Sequence, residues 1–206
     1  MVKKRGYHHG NLRQALVDAA LGLIEEKGPT GFTLSEAAKT AGVTPAAVYR
    51  HFEGREDLIA EIAQQGYEVF ADLLDYAYST GQPSALASFE AVGRAYLAFA
   101  RKYPGHYVAM FESSISIQRT PDLYKVATRA HGVLEHAAEE LSKHIPAENR
   151  PPPQMFAAHI WAMSHGVVEL FARNSPGTKS PFPPEELLET GIGVYLRGLG
   201  LIAPDQ

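Results

Sequence analysis

The chain has 206 residues, of which 45% are hydrophobic and 20% are charged, a composition typical of a globular protein. It contains no cysteine, which excludes disulfide bonds and thiol chemistry and agrees with a reducing cytosol. The N-terminus carries no secretion signal and no apolar run is long enough to cross a bilayer. We therefore expect a cytoplasmic protein that does not contact a membrane.

The net charge of −4 is unevenly distributed along the chain. Residues 1–55 carry eight Lys and Arg against five Asp and Glu, a net charge of +3. Residues 56–206 carry eleven against eighteen, a net charge of −7. This asymmetry predicts that double-stranded DNA binds at the N-terminal end. A charge of only +3 implies few phosphate contacts per subunit, so useful affinity requires a dimer.

The first predicted helix starts at Asn11, which can cap it, and ends at Gly28-Pro29. Thr33 and Glu36 then have the spacing of a capping box, so a second helix starts there and ends at Gly42, which can take a positive φ. Thr44 is a good N-cap and precedes a proline, so a third helix follows almost at once. Two helices joined by so short a turn predict a helix-turn-helix, whose second member can enter the major groove.

The outer face of the third helix is built from small side chains, while Val43, Val48 and Phe52 are expected to face inward. Small side chains let the backbone approach base edges, and neighbouring aromatic and basic residues can contact phosphates. Further contacts are expected from the basic N-terminal arm. The predicted DNA-binding residues are Lys4, Arg5, His9, Thr33, Thr44, Pro45, Ala46, Ala47, Tyr49, Arg50, His51 and Arg55.

The rest of the chain also has helical periodicity and no alternating strand pattern. A fourth helix follows Gly54 and runs to residues 79–81. Five more are predicted over Pro83–Tyr103, His106–Ile117, Asp122–His144, Gln154–Arg173 and Glu185–Leu199. The fold class is therefore all-α with about nine helices: a helix-turn-helix domain over residues 1–55 and a helical effector-binding and dimerisation domain over residues 56–206.

Four short motifs stand out between residues 32 and 58: Phe32-Thr33, Ala41-Gly42-Val43, Tyr49-Arg50-His51-Phe52 and Glu56-Asp57-Leu58. They are preceded by Tyr7-His8-His9-Gly10-Asn11-Leu12-Arg13. With these motifs, the segment from about residue 5 to residue 65 resembles the DNA-binding domain of the TetR/AcrR family of bacterial transcription regulators. Farther on, Trp161 and His165-Gly166 resemble a Trp…His-Gly signature of one subgroup. One departure is Arg55, where the family usually has lysine, which changes the geometry of a phosphate contact.

The resemblance implies a repressor that a small apolar effector releases from a palindromic operator. Aromatic and Met residues are dense in the second domain, where most such residues form core, but a helical bundle can also enclose an apolar cavity. Tyrosine, histidine and tryptophan side chains could supply polar groups that hydrogen-bond to a ligand in such a cavity. The candidate effector residues are Tyr67, Phe70, Phe89, Tyr96, Tyr107, Met110, Phe111, His131, Trp161 and His165.

The last two predicted helices are apolar on more than one face. They are either central core helices of a monomer or a two-fold interface that forms a four-helix bundle with the symmetry mates. The family resemblance favours a homodimer with this interface. The candidate interface residues are Phe156, Ile160, Met163, Val167, Phe171, Ile192, Tyr195, Leu196 and Leu199.

Signals for an enzyme are weak. His136, Glu140 and His144 recur at helical spacing, but a solvated polar face explains them better than a metal site does. We find no catalytic constellation, so we expect no enzymatic activity, no metal and no cofactor. Two alternatives stay open: a helical small-molecule-binding protein or enzyme without DNA-linked regulation, and a constitutive structural DNA-binding protein.

Overall fold

The computed structural model describes residues 12–172 and 180–202. Within those ranges every regular element is a helix, which confirms the all-α prediction. A π-helical turn, Val168–Ala172, follows α8 directly. The α-helices are α1 (Leu12–Lys27), α2 (Leu34–Thr40), α3 (Pro45–Val48), α4 (Arg55–Thr80), α5 (Ala85–Lys102), α6 (Pro104–Phe111), α7 (Pro121–Ser142), α8 (Pro153–Val167) and α9 (Pro184–Gly198).

The chain divides into two compact units. The first combines the chain up to Gly66 with Gly105–Leu123, and the second combines Tyr67–Pro104 with the chain from Tyr124 onward. The first unit thus includes the start of α4 and a segment distant in sequence. The functional boundary predicted at residues 55–56 stays a prediction.

The core of the first unit is built around α1. The apolar face of this helix is buried at Leu16, Val17, Ala20 and Ile24, as its 3–4 spacing predicts. Gly28 ends the helix with φ of 77°, and its N–H donates to the Ile24 carbonyl at 2.8 Å. The same core buries Phe32, Val48, Phe52, Leu58 and Ile62.

The sixth helix is shorter at its C-terminal end than predicted. It ends at Phe111 and not at Ile117. The Ser113 hydroxyl donates to the Ala109 carbonyl at 2.5 Å, and Ser114 has φ of 60°, in the left-handed region. A serine side chain that binds the preceding turn competes with the helical ladder, and a left-handed residue cannot continue it.

The core of the second unit is aromatic. Phe70 on α4 packs edge-on against Tyr96 of α5, with ring centroids 5.2 Å apart, and contacts Phe99 at 4.8 Å. Phe156 on α8 is fully buried and stacks on Tyr195 of α9 at 5.9 Å. These contacts connect α4 to α5 and α8 to α9 within this unit.

Candidate nucleic-acid interface and effector site

The predicted capping box at the start of α2 is present. The Thr33 N–H donates to Glu36 Oε2 at 2.8 Å, and the Glu36 N–H donates to Thr33 Oγ1 at 3.2 Å. Lys27 Nζ, at the end of α1, donates to Glu36 Oε1 at 2.9 Å. The Lys27 hydrogen bond, together with those from Thr33, lowers the pKa of Glu36 to about 2. Thr33, a predicted DNA-binding residue, is exposed but its hydroxyl serves this cap.

The turn between α2 and α3 depends on Gly42, whose φ of 74° is unfavourable for any residue with a Cβ. The N–H of Val43 then donates to the Ala38 carbonyl at 2.9 Å, which closes the turn. Thr44 is the N-cap of α3 and Pro45 occupies the first turn, as predicted. However, Thr44 makes no side-chain capping bond, and the residue is exposed.

The outer face of α3, which the sequence predicts to contact base edges, is largely accessible. Thr44, Pro45 and Ala46 are exposed and Ala47 is half-buried, whereas Val48 is fully buried and anchors the helix. Helix α3 ends at Val48, so the next three residues follow the helix and do not extend its face. They nevertheless stay exposed: Tyr49, with 61% of its surface accessible, and Arg50 and His51.

Arg55 lies differently from the other predicted phosphate contacts. Its Nη1 donates to the Thr30 carbonyl at 2.9 Å and to the Phe32 carbonyl at 3.3 Å. The predicted arm residues Lys4, Arg5 and His9 lie outside the described residues.

Lys39 is a further basic residue that the sequence patterns did not identify as a DNA contact. It is exposed on the last turn of α2, next to the turn into α3. Its place in the sequence, about one helical turn before Gly42, could have indicated this position.

Several candidate effector residues form one connected ring cluster in the second unit. The Tyr96 hydroxyl and His165 Nδ1 share a hydrogen bond of 2.9 Å. Trp161 lies 5.9 Å from His165 and 5.5 Å from His131 between ring centroids. Tyr67 extends the cluster, 6.2 Å from His131, and burial, with a smaller effect of Tyr96, raises the pKa of Tyr67 to about 12. Phe70 joins the cluster through Tyr96.

A cavity of about 250 Å³ lies next to this cluster, among α5, α7, α8 and α9. Tyr96 and Trp161 belong to both the cluster and the cavity wall, and Phe89 is a third candidate effector residue in the wall. The charged lining groups are Glu90, Arg94, Glu185 and Glu189. The other apolar lining residues are Val92, Leu97, Leu134, Ala137, Ala138, Ala157, Ile160, Leu188, Ile192, Leu196 and Ile202.

The remaining candidate effector residues do not line this cavity. Among the described residues of α4, none contributes to the wall, so Tyr67 and Phe70 on that helix lie outside it. Three candidates belong to the first unit: Tyr107 packs against Phe111 at 4.8 Å between centroids, and Met110 is buried. Their assignment as effector residues stays a prediction.

The structure separates the candidate interface residues into two groups. Phe156, Ile192 and Leu196 are 0%, 8% and 1% exposed within a single chain. An interface residue must be accessible in the isolated protomer. We therefore assign these three residues to the protomer core and not to the proposed interface. The exposed large apolar residues on the same elements are Met155, Trp161, Leu170 and Val194. The half-buried candidates are Ile160, Met163, Val167, Phe171, Tyr195 and Leu199.

The polar side chains considered for metal binding are arranged as a surface network. His136 Nδ1 lies 4.0 Å from Glu140 Oε1, and Lys143 Nζ lies 2.5 Å from the same oxygen. Across residues 12–172 and 180–202 no group of three His, Cys, Asp or Glu side chains is placed to hold a metal ion. No helix in the same ranges is long and apolar enough to span a membrane.

Comparison with known proteins identifies both parts of the chain. A family model described as "Bacterial regulatory proteins, tetR family" matches residues 16–62. A second, described as "Tetracyclin repressor-like, C-terminal domain", matches residues 89–195. The chain belongs to the TetR family. It is a DNA-binding transcription regulator, as its sequence resemblance implied, and α2 and α3 are its helix-turn-helix.

Relatives of this TetR-family protein extend over nearly its whole length. The HTH-type transcriptional regulator YobS of Bacillus subtilis (strain 168) is 31% identical over 92% of this chain and 93% of its own. A solved structure from Rhodococcus sp. RHA1 is 25% identical, with a TM-score of 0.77, covering 95% of this chain and 99% of that one. AibR, solved with isovaleryl coenzyme A and operator DNA, has the same fold at 18% identity, with a TM-score of 0.67 and coverages of 89% and 97%.

Proposed function

We propose that this TetR-family regulator is a homodimeric repressor that releases a palindromic operator when a small apolar molecule occupies the cavity among α5, α7, α8 and α9. The cavity carries the proposal, because a regulator without an effector needs no such space in its second unit. We also propose a cytoplasmic location, because the protein must reach its DNA target.

The size and walls of the cavity define the class of effector. An apolar cavity of about 150 Å³ accommodates benzene, so a volume of about 250 Å³ suits a compact molecule of the size of indole or naphthalene. Aliphatic and aromatic side chains form most of the wall, and the Trp161 ring offers a face for stacking. AibR binds isovaleryl coenzyme A, a much larger molecule, only a part of which this cavity could contain.

Dimerisation follows from the accessible apolar residues of the last helices. Met155 and Val194 are 51% and 59% exposed, and Leu170 in the π-helical turn is 53% exposed. Gly191 and Gly198 on α9 are also exposed and have open space where a Cβ would be. Large apolar groups beside small ones allow two helices to approach their symmetry mates closely. The dimer then presents two α3 helices to half-sites about 34–36 Å apart, or farther apart if the two DNA-binding domains are more widely separated.

Gly93 provides a direct test of the cavity. It lines the wall from α5, and the nearest atom to an added Cβ is Leu188 Cδ2 at 3.9 Å. Gly93→Leu therefore places a side chain in the cavity without a collision at its Cβ, and Gly93→Ala is the matched control. Compounds of indole and naphthalene size would be screened for release of a DNA duplex that the protein selects from a random-sequence library.

A compound that releases the duplex should lower the DNA affinity of the wild type and of Gly93→Ala about 5- to 150-fold. Gly93→Leu should bind the duplex normally and fail to respond. A response in Gly93→Leu equal to that of the wild type would place the effector elsewhere. If no apolar compound releases the duplex, regulation through a protein partner becomes the better explanation.

A further inference from the structure

The arginines of the first unit are not equally available to DNA. Arg50 is exposed, and within residues 12–172 and 180–202 its side chain makes no hydrogen bond or ion pair. Arg13 and Arg55 instead direct their guanidinium groups at backbone carbonyls of the first unit. Equal charge therefore does not mean equal access to phosphate.

Arg55 holds the segment that leads into α2. Its Nη1 bridges the Thr30 and Phe32 carbonyls at 2.9 and 3.3 Å. Its Nε is buried and has no acceptor among the described residues. A guanidinium that turned outward to a phosphate would leave both carbonyls without this donor. Because the next residue, Thr33, is the N-cap of α2, the bridge restrains the segment that leads directly into the helix-turn-helix.

Arg13 holds the opposite end of the same motif. Its Nη1 donates to the His51 carbonyl at 3.1 Å, just after α3. Its guanidinium carbon lies 4.6 Å above the centre of the Phe52 ring, and its Nη2 lies 2.5 Å from Glu61 Oε2 on α4. A cation above an aromatic face and a carboxylate at its other side restrict the guanidinium to this position.

We propose that Arg13 and Arg55 are positioning residues that hold the two ends of the helix-turn-helix, and that Arg50 supplies a phosphate contact of this motif. Arginine suits the positioning role because its planar fork presents donors in a fixed direction, which a lysine ammonium does not. The family position usually occupied by lysine thus has a different task in this chain. The inference rests on the DNA-binding function and refines it.

Three variants with the same loss of charge separate the possible roles: Arg55→Met, Arg13→Met and the control Arg50→Met. Each is tested as the full-length chain, at a temperature where circular dichroism shows it folded. Affinity is measured for the selected duplex and for a scrambled duplex of equal length, between about 50 and 200 mM salt. A lost phosphate contact lowers the slope of log affinity against log salt by about 0.9, or about 1.8 for a dimer.

Arg50→Met should weaken binding of both duplexes and reduce the salt slope by that amount. Arg55→Met and Arg13→Met should weaken binding of the selected duplex roughly tenfold and leave the scrambled duplex and the salt slope unchanged. Arg55→Lys keeps the charge, and we expect its affinity for the selected duplex to stay below that of the wild type.

Three results would overturn the inference. A reduced salt slope for Arg55→Met, or full affinity in Arg55→Lys, would make Arg55 a phosphate contact. A lower melting temperature with unchanged affinity for both duplexes would make the two arginines structural only. A wild-type protein that selects no duplex would instead refute the DNA-binding function. This result is distinguishable from failure of the inference, because it is obtained with the wild type before any variant is measured.

Discussion

Arg119 forms a hydrogen-bonded ion pair with the carboxylate of Asp57 at the first turn of α4. Its Nη2 and Nε lie 2.5 and 3.2 Å from Asp57 Oδ1, and its Nη1 lies 3.0 Å from Glu56 Oε2. The other Asp57 oxygen accepts the Glu53 N–H at 3.1 Å. One carboxylate therefore connects the segment that follows α6 to the loop between α3 and α4, within the first unit.

The Arg119 hydrogen bond lowers the pKa of Asp57. Because the folded pKa is below the unfolded one, this contribution to stability is fully present above the ordinary pKa near 3.8 and is lost as the pH falls through the lowered value. We expect Arg119→Gln to raise the pKa of Asp57 and to reduce stability at neutral pH by at most about 1 kcal/mol, since the pair is partly exposed.

Carboxyl NMR titration and urea unfolding at several pH values measure both effects. Arg129→Gln is the matched control, since it removes one exposed arginine that pairs with Asp72 and Asp75 and not with Asp57. An unchanged Asp57 titration in Arg119→Gln would contradict the expectation.

Glu36 gives a second, local pH prediction. Its carboxyl should titrate at about pH 2, mainly because of Lys27. The lowered pKa means that the capping interaction is complete above the ordinary pKa of 4.5 and disappears as the pH approaches 2. Lys27→Met should raise this pKa toward its ordinary value while the Thr33 bonds hold it somewhat below. NMR titration of both proteins tests this, and an identical pKa in the two would refute the role of Lys27.

Two glycines should respond oppositely to alanine. At Gly81 an added Cβ would lie 2.6 Å from the Ser88 Cα, a backbone atom that cannot rotate away. We expect Gly81→Ala to destabilise the fold by roughly 1–3 kcal/mol. At Gly132, inside α7, an added Cβ meets nothing within 4 Å, so Gly132→Ala should stabilise by about 0.5–1 kcal/mol through helix propensity. Urea denaturation compares them, and equal effects would contradict the packing at Gly81.

The proposed interface predicts that dissociation and unfolding can be separated. Val194→Glu places a charge on an exposed position of α9, so the chain should stay folded but sediment as a monomer. Leu196→Glu places the same charge at a position only 1% exposed, where an unpaired charge is costly, and should unfold the protomer. Sedimentation and circular dichroism distinguish the two. A dimeric Val194→Glu protein would move the interface away from this face of α9.

Local sequence signals predicted the helix-turn-helix well, because its determinants are close together in the chain. Thr33 and Glu36 are three residues apart, and the positive φ at the turn is a property of Gly42 itself. Contacts between distant residues were not predictable in this way. The sequence shows that Arg55 is basic but not that the Thr30 and Phe32 carbonyls lie beside it.

The second unit shows the same limit. Periodicity identifies apolar residues of α8 and α9 but cannot assign them to the protomer core, the cavity wall or an interface. Leu196 is both buried and part of the cavity wall, although its spacing equally suits a dimer contact. Tyr96 and His165 are 69 residues apart, so their hydrogen bond depends on how the helices pack and not on any local pattern.

The short side chains at Thr44, Pro45 and Ala46 are exposed, while the neighbouring Val48 is fully buried. Substitution at the exposed positions therefore removes no core contact, and at Ala46, which is not a cap, such a surface change usually alters stability by no more than about 0.5 kcal/mol. Because the sequence predicts that these positions contact base edges, we expect single substitutions there to change the preferred operator while the fold stays the same.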